Sequence, residues 1–178
     1  MVTDQFTKIV NVPNMKDHSA SGVTGCLKNV AYGEFNNVAR SHHKAQTETL
    51  TFIGTLARVE PLRSRTVLHI MDGLRGVWHG GPFSTDKRYR FYPKQMKFGT
   101  DPVAIDRLLI DVIDDKRRQE GAISVWERGV KYLGTTREWQ AHPNVNRFIR
   151  ETGHIEYAST LGLGVYDTDR IEHTEITI

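Results

Sequence analysis

The sequence predicts an α/β fold, a layered mixed or mostly parallel sheet with flanking helices, in a single domain over residues 1–178. Three observations carry this prediction. Phe6–Val12 and Thr66–Asp72 are apolar, β-branched runs of strand length. Between them, Gln46–Val59 places Leu50, Ile53 and Ala57 on one helical face. After them, Thr100-Asp101-Pro102 reads as a helix start: Thr or Asp caps, and proline sits in the first turn, where its missing N–H costs nothing. Strand and helix alternating along one chain make a layered α/β sheet.

The remaining elements follow in order. Pro13 stops the first strand, because proline lacks the N–H that a central ladder needs. Asn11–Asn29 is then a polar loop hung on a buried strand end, and Ser19–Asn37 holds at most a helical turn, broken by Gly22, Gly25 and Gly33. Pro61 ends the Gln46–Val59 helix. Thr66–Asp72 is nearly continuous in apolar character, so both of its faces are expected to be buried. Gly73–Thr85 is a loop, Tyr89–Tyr92 a short edge strand and Gln95–Phe98 another short strand.

In the helix beginning at Pro102, Ile105, Leu108, Leu109, Val112 and Ile113 form the buried stripe, and Asp114–Glu120 is a charged, solvated end. Ala122–Leu133 is a second helix after Gly121, Gly134–Arg150 an irregular excursion, and His154–Leu161 a short helix ended by Gly162 or Gly164. Ile171–Ile178 alternates and reads as a final edge strand. Four or five strands result, fewer than expected for such a sheet, so upstream partner strands are expected to be missing or supplied by another chain.

Hydrophobic residues make up 38% and charged residues 25%, which places the chain among ordinary globular proteins rather than disordered or fibrous ones. No run approaches the ~18 apolar residues that span a bilayer. Residues 1–20 lack a basic stretch followed by an apolar one, so no export signal is visible. The expectation is a soluble protein, cytoplasmic, or exported if a signal lies upstream. Cys26 is the single cysteine, which excludes an internal disulfide and a cysteine-ligated iron–sulfur cluster from this chain alone. The net charge of +3 is scattered over segments such as Arg58–Arg65 and Asp86–Lys97. That favours a solvated mixed surface over a nucleic-acid footprint, and it suits an anionic small molecule equally well.

The chemistry-bearing residues concentrate in Asn11–Asn29. Lys16 and Lys28 within a Gly/Ser/Thr-rich loop suit phosphate or carboxylate, and Gly22 and Gly25 let backbone N–H groups approach. The spacing departs from the Walker pattern, and two solvated loop lysines give the same sequence. His18 fits a general base or a metal ligand, or a surface histidine bonded to its neighbours. His42-His43 is a weaker metal candidate, because adjacent side chains diverge. Asp72 ends the clearest strand, a common ligand or metal position, though an aspartate starting a turn looks identical. His79 with Gly80-Gly81-Pro82 would form the opposite wall. Asp101 reads as a cap. Asp106 flanks the apolar stripe and needs a partner, for which Lys16, Lys28 or a divalent cation would serve. Asp17, Asp72 and Asp106 with the two lysines fit a hard-cation or phosphate site, or an internal salt-bridge network. Cys26 fits a nucleophile or inert packing.

Four blocks occur in order over residues 11–164: NVPNMKDHSASGVTGCLKN, DGLRGVWHGGPFS, GTDPVAID and HIEYASTLGLG. Together they resemble the domain of unknown function 362 family. The resemblance implies an α/β domain, usually within a longer polypeptide, of which this chain matches the C-terminal two thirds. Some members carry ferredoxin-type clusters, which implies an iron–sulfur redox partner by analogy; this chain has no cluster motif of its own. Some relatives carry twin-arginine signals upstream. The resemblance implies a fold and a site, not a reaction.

The expected site is therefore an anionic small-molecule site with Lys16, His18 and Lys28 as catalytic candidates. Asn11, Thr24, Gly25, Asn29, Gly81 and Pro82 are substrate-binding candidates, and Asp72 and Asp106 are metal candidates, with a divalent cation as candidate cofactor. A non-catalytic ligand- or metal-binding module is the alternative, as is a fragment of an iron–sulfur-linked redox protein.

Overall fold

The computed structural model describes residues 5–36, 38, 41, 45–83, 85–127, 141–144 and 152–178. Its centre is one long strand, β4 (Thr66–Val77). Burial along Leu68–Gly73 alternates with the two-residue period of a strand. Two short strands, β1 (Ile9–Asn11) and β2 (Asn14–His18), succeed each other along one edge of β4, both parallel to it. Val12 and Pro13 interrupt them, yet the Pro13 carbonyl still accepts the Asp72 N–H at 2.8 Å. β3 (Gly22–Thr24) pairs antiparallel with β2. On the other edge of β4, β5 (Arg90–Phe91) and β6 (Gln95–Gly99) pair antiparallel. The result is an open mixed sheet of six strands, one more than the highest number expected.

The described helices are α1 (Cys26–Gly33), α2 (Ala45–Ala57), α3 (Leu62–Arg65), α4 (Pro102–Gln119) and α5 (Gly153–Thr160). Met15, Val23 and Met71 from the sheet meet Leu27 of α1, Ile53 of α2, Leu109 and Ile113 of α4 and Ile155 of α5. Each such buried side chain contributes about 1.5–3 kcal/mol. The opposite sheet face is different. Register places Ile70 beside Phe98 and Leu68 beside Val10. Phe98 is 63% exposed there and Val10 52%. The expectation that Thr66–Asp72 is buried on both faces is thus corrected: on the inward face His69 and Met71 are buried but Val67 is exposed, and the outward residues are only partly buried.

The helix beginning at Pro102 forms as predicted, with Asp101 Oδ1 accepting the Ala104 N–H at 2.8 Å. Its end differs from expectation. The stripe continues one turn past Ile113 to Arg117, which is fully buried, and Asp114 is buried too, accepting from Ser124 Oγ and the Val125 N–H. Asp114–Glu120 is therefore not a wholly solvated end. Residues Ala122–Glu127 are not helical; the rest of the expected second helix, and most of Gly134–Arg150, lie outside the described residues.

Asn11–Asn29 is mostly β2, β3 and α1 rather than loop, and most of its side chains are buried. Gly73 does not begin a loop, because β4 runs on to Val77. The expected final strand Ile171–Ile178 is absent: the segment pairs with no strand, and most of it is exposed. Alternation alone makes no strand without a ladder to join. Among the described residues, no helix is long and apolar enough to cross a membrane.

Candidate functional site

β2 brings the polar groups in. Strand alternation puts Lys16 and His18 on one face of β2, and Met15 and Asp17 on the other. Lys16 stands opposite Thr24 of β3 in register. The chain then turns at Gly25 into α1, which carries Lys28 near enough for the charge of Lys16 to act on it. Lys28 is 6% exposed, and its ammonium lies 4.6 Å from the centroid of the Tyr32 ring one helical turn on. Burial, and after it the charge of Lys16, pull the Lys28 amine down to about 7. Burial lowers Lys16 as well. Among the described residues, neither lysine forms an ion pair. Thr24 Oγ1 is buried with no hydrogen-bond partner among the described residues. Two neighbouring cations with no acid between them among the described residues are costly unless something anionic joins them.

The end of β2 is closed by other groups. His18 is buried, and its Nδ1 accepts the Ala20 N–H at 3.1 Å. A backbone N–H only donates, so the proton of the neutral ring sits on Nε2. Asp17 faces Arg117 of α4 at 3.6 Å, both with zero side-chain exposure. Arg117 also donates to the carbonyls of Ile123 at 2.6 Å, Trp78 at 3.0 Å and Pro143 at 3.1 Å. This pair ties the sheet to the segments beyond α4. Gly81 packs on it: a Cβ there would fall 1.7 Å from the Asp17 carbonyl oxygen. Gly81 and Pro82 therefore lie at the end of β2, close to His18. His79 is buried against Arg117, with the Trp78 ring tilted beside it and the Tyr89 ring perpendicular to it.

Asn11 and Asn29 belong to a separate network. Asn29 Nδ2 donates to Asn11 Oδ1 at 2.7 Å. Asn11 Nδ2 donates to the Cys26 carbonyl at 3.0 Å and meets His69 Nδ1 at 2.9 Å. Since the Cys26 carbonyl only accepts, that Asn11 nitrogen carries the hydrogens, and His69 Nδ1 is the acceptor. His69 is neutral with its proton on Nε2. Burial holds its pKa down to about 4.

Asp106 is fully buried under the start of α1, where it accepts the N–H groups of Cys26 at 2.5 Å and Leu27 at 2.9 Å. It supplies from α4 the cap that Gly25 lacks a side chain to give. The close approach requires glycine, because a Cβ on Gly25 would sit 2.1 Å from Asp106 Oδ1. Burial pushes the Asp106 carboxyl up to about 7, against the pull of the two N–H donors. Its partners are thus backbone groups rather than Lys16 or Lys28. The Cys26 thiol beside it is pushed well above its ordinary value, first by burial and then by Asp106. Asp72 sits within β4, not at its end, and accepts from Asn14 Nδ2 at 3.2 Å and the Leu74 N–H at 3.0 Å. The two metal candidates are therefore engaged apart. Among the described residues, no group of three or more His, Cys, Asp or Glu is placed to hold a metal ion. His42 and His43 lie outside the described residues.

Sequence reasoning passed over His69 and Arg117. A histidine set inside the apolar run TVLHIM is the available signal for the first. For the second it is position: Arg117 is four residues past Ile113 on the apolar stripe.

Fold and site together define an open-sheet α/β protein whose first helix and second strand gather a buried and a half-buried lysine with a buried histidine. The chain belongs to the family described as Domain of unknown function (DUF362), whose model matches residues 3–111. No curated protein and no solved structure matches the chain.

Proposed function

We propose that this protein binds an anionic small molecule, carrying a phosphate or carboxylate, between Lys16 of β2 and Lys28 of α1. One observation supports this above the others: two neighbouring lysines, one of them buried, form no ion pair among the described residues. A bound anion would supply the missing negative charge and restore the Lys28 proton. Thr24 Oγ1 offers a further donor beside Lys16. An amine poised at about 7 also has the tuning of a general base, and His18 lies two residues along the same strand face. The reading is therefore anion capture with proton transfer available at the site.

Calorimetry with inorganic phosphate at pH 8, in two buffers of different ionisation enthalpy, tests it. Binding should draw a fraction of a proton from the buffer onto Lys28, and Lys28→Met or Lys16→Met should weaken affinity about tenfold, the value of one charge-assisted contact. No measurable heat with phosphate or with short carboxylates, or heat unaltered in both variants, would exclude the reading.

A further inference from the structure

The geometry points to a second binding site, for a short-chain carboxylate, in the cavity beside His69. This site does not rest on the lysine pair. The cavity has a volume of about 200 Å³ and is walled by Cys26, Ala57, Arg63, His69, Thr100 and Leu163, among others. The cavity is partly open to solvent, with the exposed Arg63 at its wall. At about 30 Å³ per water, it holds roughly six or seven, or an organic molecule of similar size.

Its polar equipment is specific. His69 is 3% exposed and lines the cavity. The chain Asn29–Asn11–His69 fixes its acceptor nitrogen toward Asn11 and leaves Nε2–H as the free end. Among the described residues nothing accepts from Nε2. His69 lines the cavity, so the acceptor for Nε2–H comes from what the cavity holds, water or a ligand oxygen. Arg63 stands in the same wall, held by its Nη2 donating to the Gly162 carbonyl at 2.9 Å. A guanidinium has five N–H donors, so others are available to a carboxylate. Ala57, Leu27 and Val30 supply the apolar surface for a short carbon chain. A neutral N–H donor, an arginine and an apolar wall in so small a volume match a two- to four-carbon acid, with one oxygen on His69 and its carboxylate toward Arg63.

Pyruvate is the probe, added to the full chain labelled with ¹⁵N and followed by NMR of the histidine rings and lysine amines. Saturable movement of the His69 Nε2 signal, with the Lys28 signal still, is expected. Ala57→Leu, which narrows the cavity without touching a polar group, should weaken binding about tenfold, and Arg63→Gln by a similar factor. A His69 signal unmoved at millimolar pyruvate would mean that the cavity holds water only and would overturn the proposal. So would movement confined to the lysine signals, or an Ala57→Leu variant that binds as the wild type does.

Discussion

Replacing Lys28 by methionine should make the protein more stable, and by an amount that depends on pH. Methionine fills nearly the same volume and needs no water. The amine of Lys28 falls from 10.5 to about 7 on folding. At 1.36 kcal/mol per pH unit, this caps the cost of burying its charge at about 5 kcal/mol. Relaxation and water penetration reduce the recoverable part, and the lost contact with Tyr32 reduces it further, to about 2–4 kcal/mol. The unfolded chain keeps the Lys28 proton up to about 10.5, whereas the folded chain releases it near 7. Wild-type stability therefore rises with pH across that window, and the whole penalty is present below it. Urea unfolding of both proteins at pH 6 and pH 10 measures the difference. Lys28→Met should be favoured by about 2–4 kcal/mol at pH 6, equivalent to a melting point some 4–16 °C higher, and by about 1 kcal/mol or less at pH 10. A variant that is neutral or less stable at pH 6, or whose advantage is independent of pH, would refute the reasoning. The same substitution should weaken phosphate binding about tenfold, a trade of function for stability.

Three further outcomes follow from the same geometry. His69, held down to about 4, makes the folded state lose stability as pH falls from 6.5 toward 4, while Asp106, held up to about 7, acts in the opposite sense over nearly the same window. His69→Gln should therefore improve relative to wild type by up to about 3 kcal/mol between pH 6.5 and 4 in urea midpoints; a constant difference would contradict this. Gly25→Ala forces a methyl group into the Asp106 carboxylate and breaks the cap on α1, costing about 2–4 kcal/mol by thermal melting, and a variant as stable as wild type would mean that the cap is dispensable. Arg117→Met removes the cation facing buried Asp17 and should cost about 3–5 kcal/mol, whereas Asp17→Asn combined with Arg117→Met should recover part of that loss; a double variant worse than the sum of the single ones would count against the pairing.

Local pattern made much of the fold legible. The 3.6-residue stripe through Ile105, Leu109 and Ile113, the Asp101–Pro102 start and the apolar run Thr66–Ile70 depend on near neighbours, and each lies where it was expected. What escaped depends on distant partners. NMKDH reads as loop by composition, yet its aspartate is paired with Arg117, a hundred residues on, and its strand exists because β4 accepts it. The start of α1 has glycine where a capping side chain is expected, and the cap arrives from Asp106, eighty residues away in sequence. Ile171–Ile178 shows the converse, a strand-like pattern with no edge to join. At the site, Lys16, Lys28, Thr24 and His18 were readable as a polar concentration, and their closeness in sequence kept them close in space. The burial of Lys28 was not readable, because it depends on how α1 packs against its neighbours. Asp106 needs a partner by its place beside the apolar stripe, but that partner is the start of α1, eighty residues away, which local pattern does not reveal.

The most direct measurement is a pH titration of the Lys28 amine by ¹⁵N NMR in the intact chain, with and without inorganic phosphate. The midpoint should lie at about 7 in the free protein and move upward as phosphate is added. A midpoint at the ordinary 10.5, unmoved by phosphate, would contradict both the burial of Lys28 beside Lys16 and the anion site built on it.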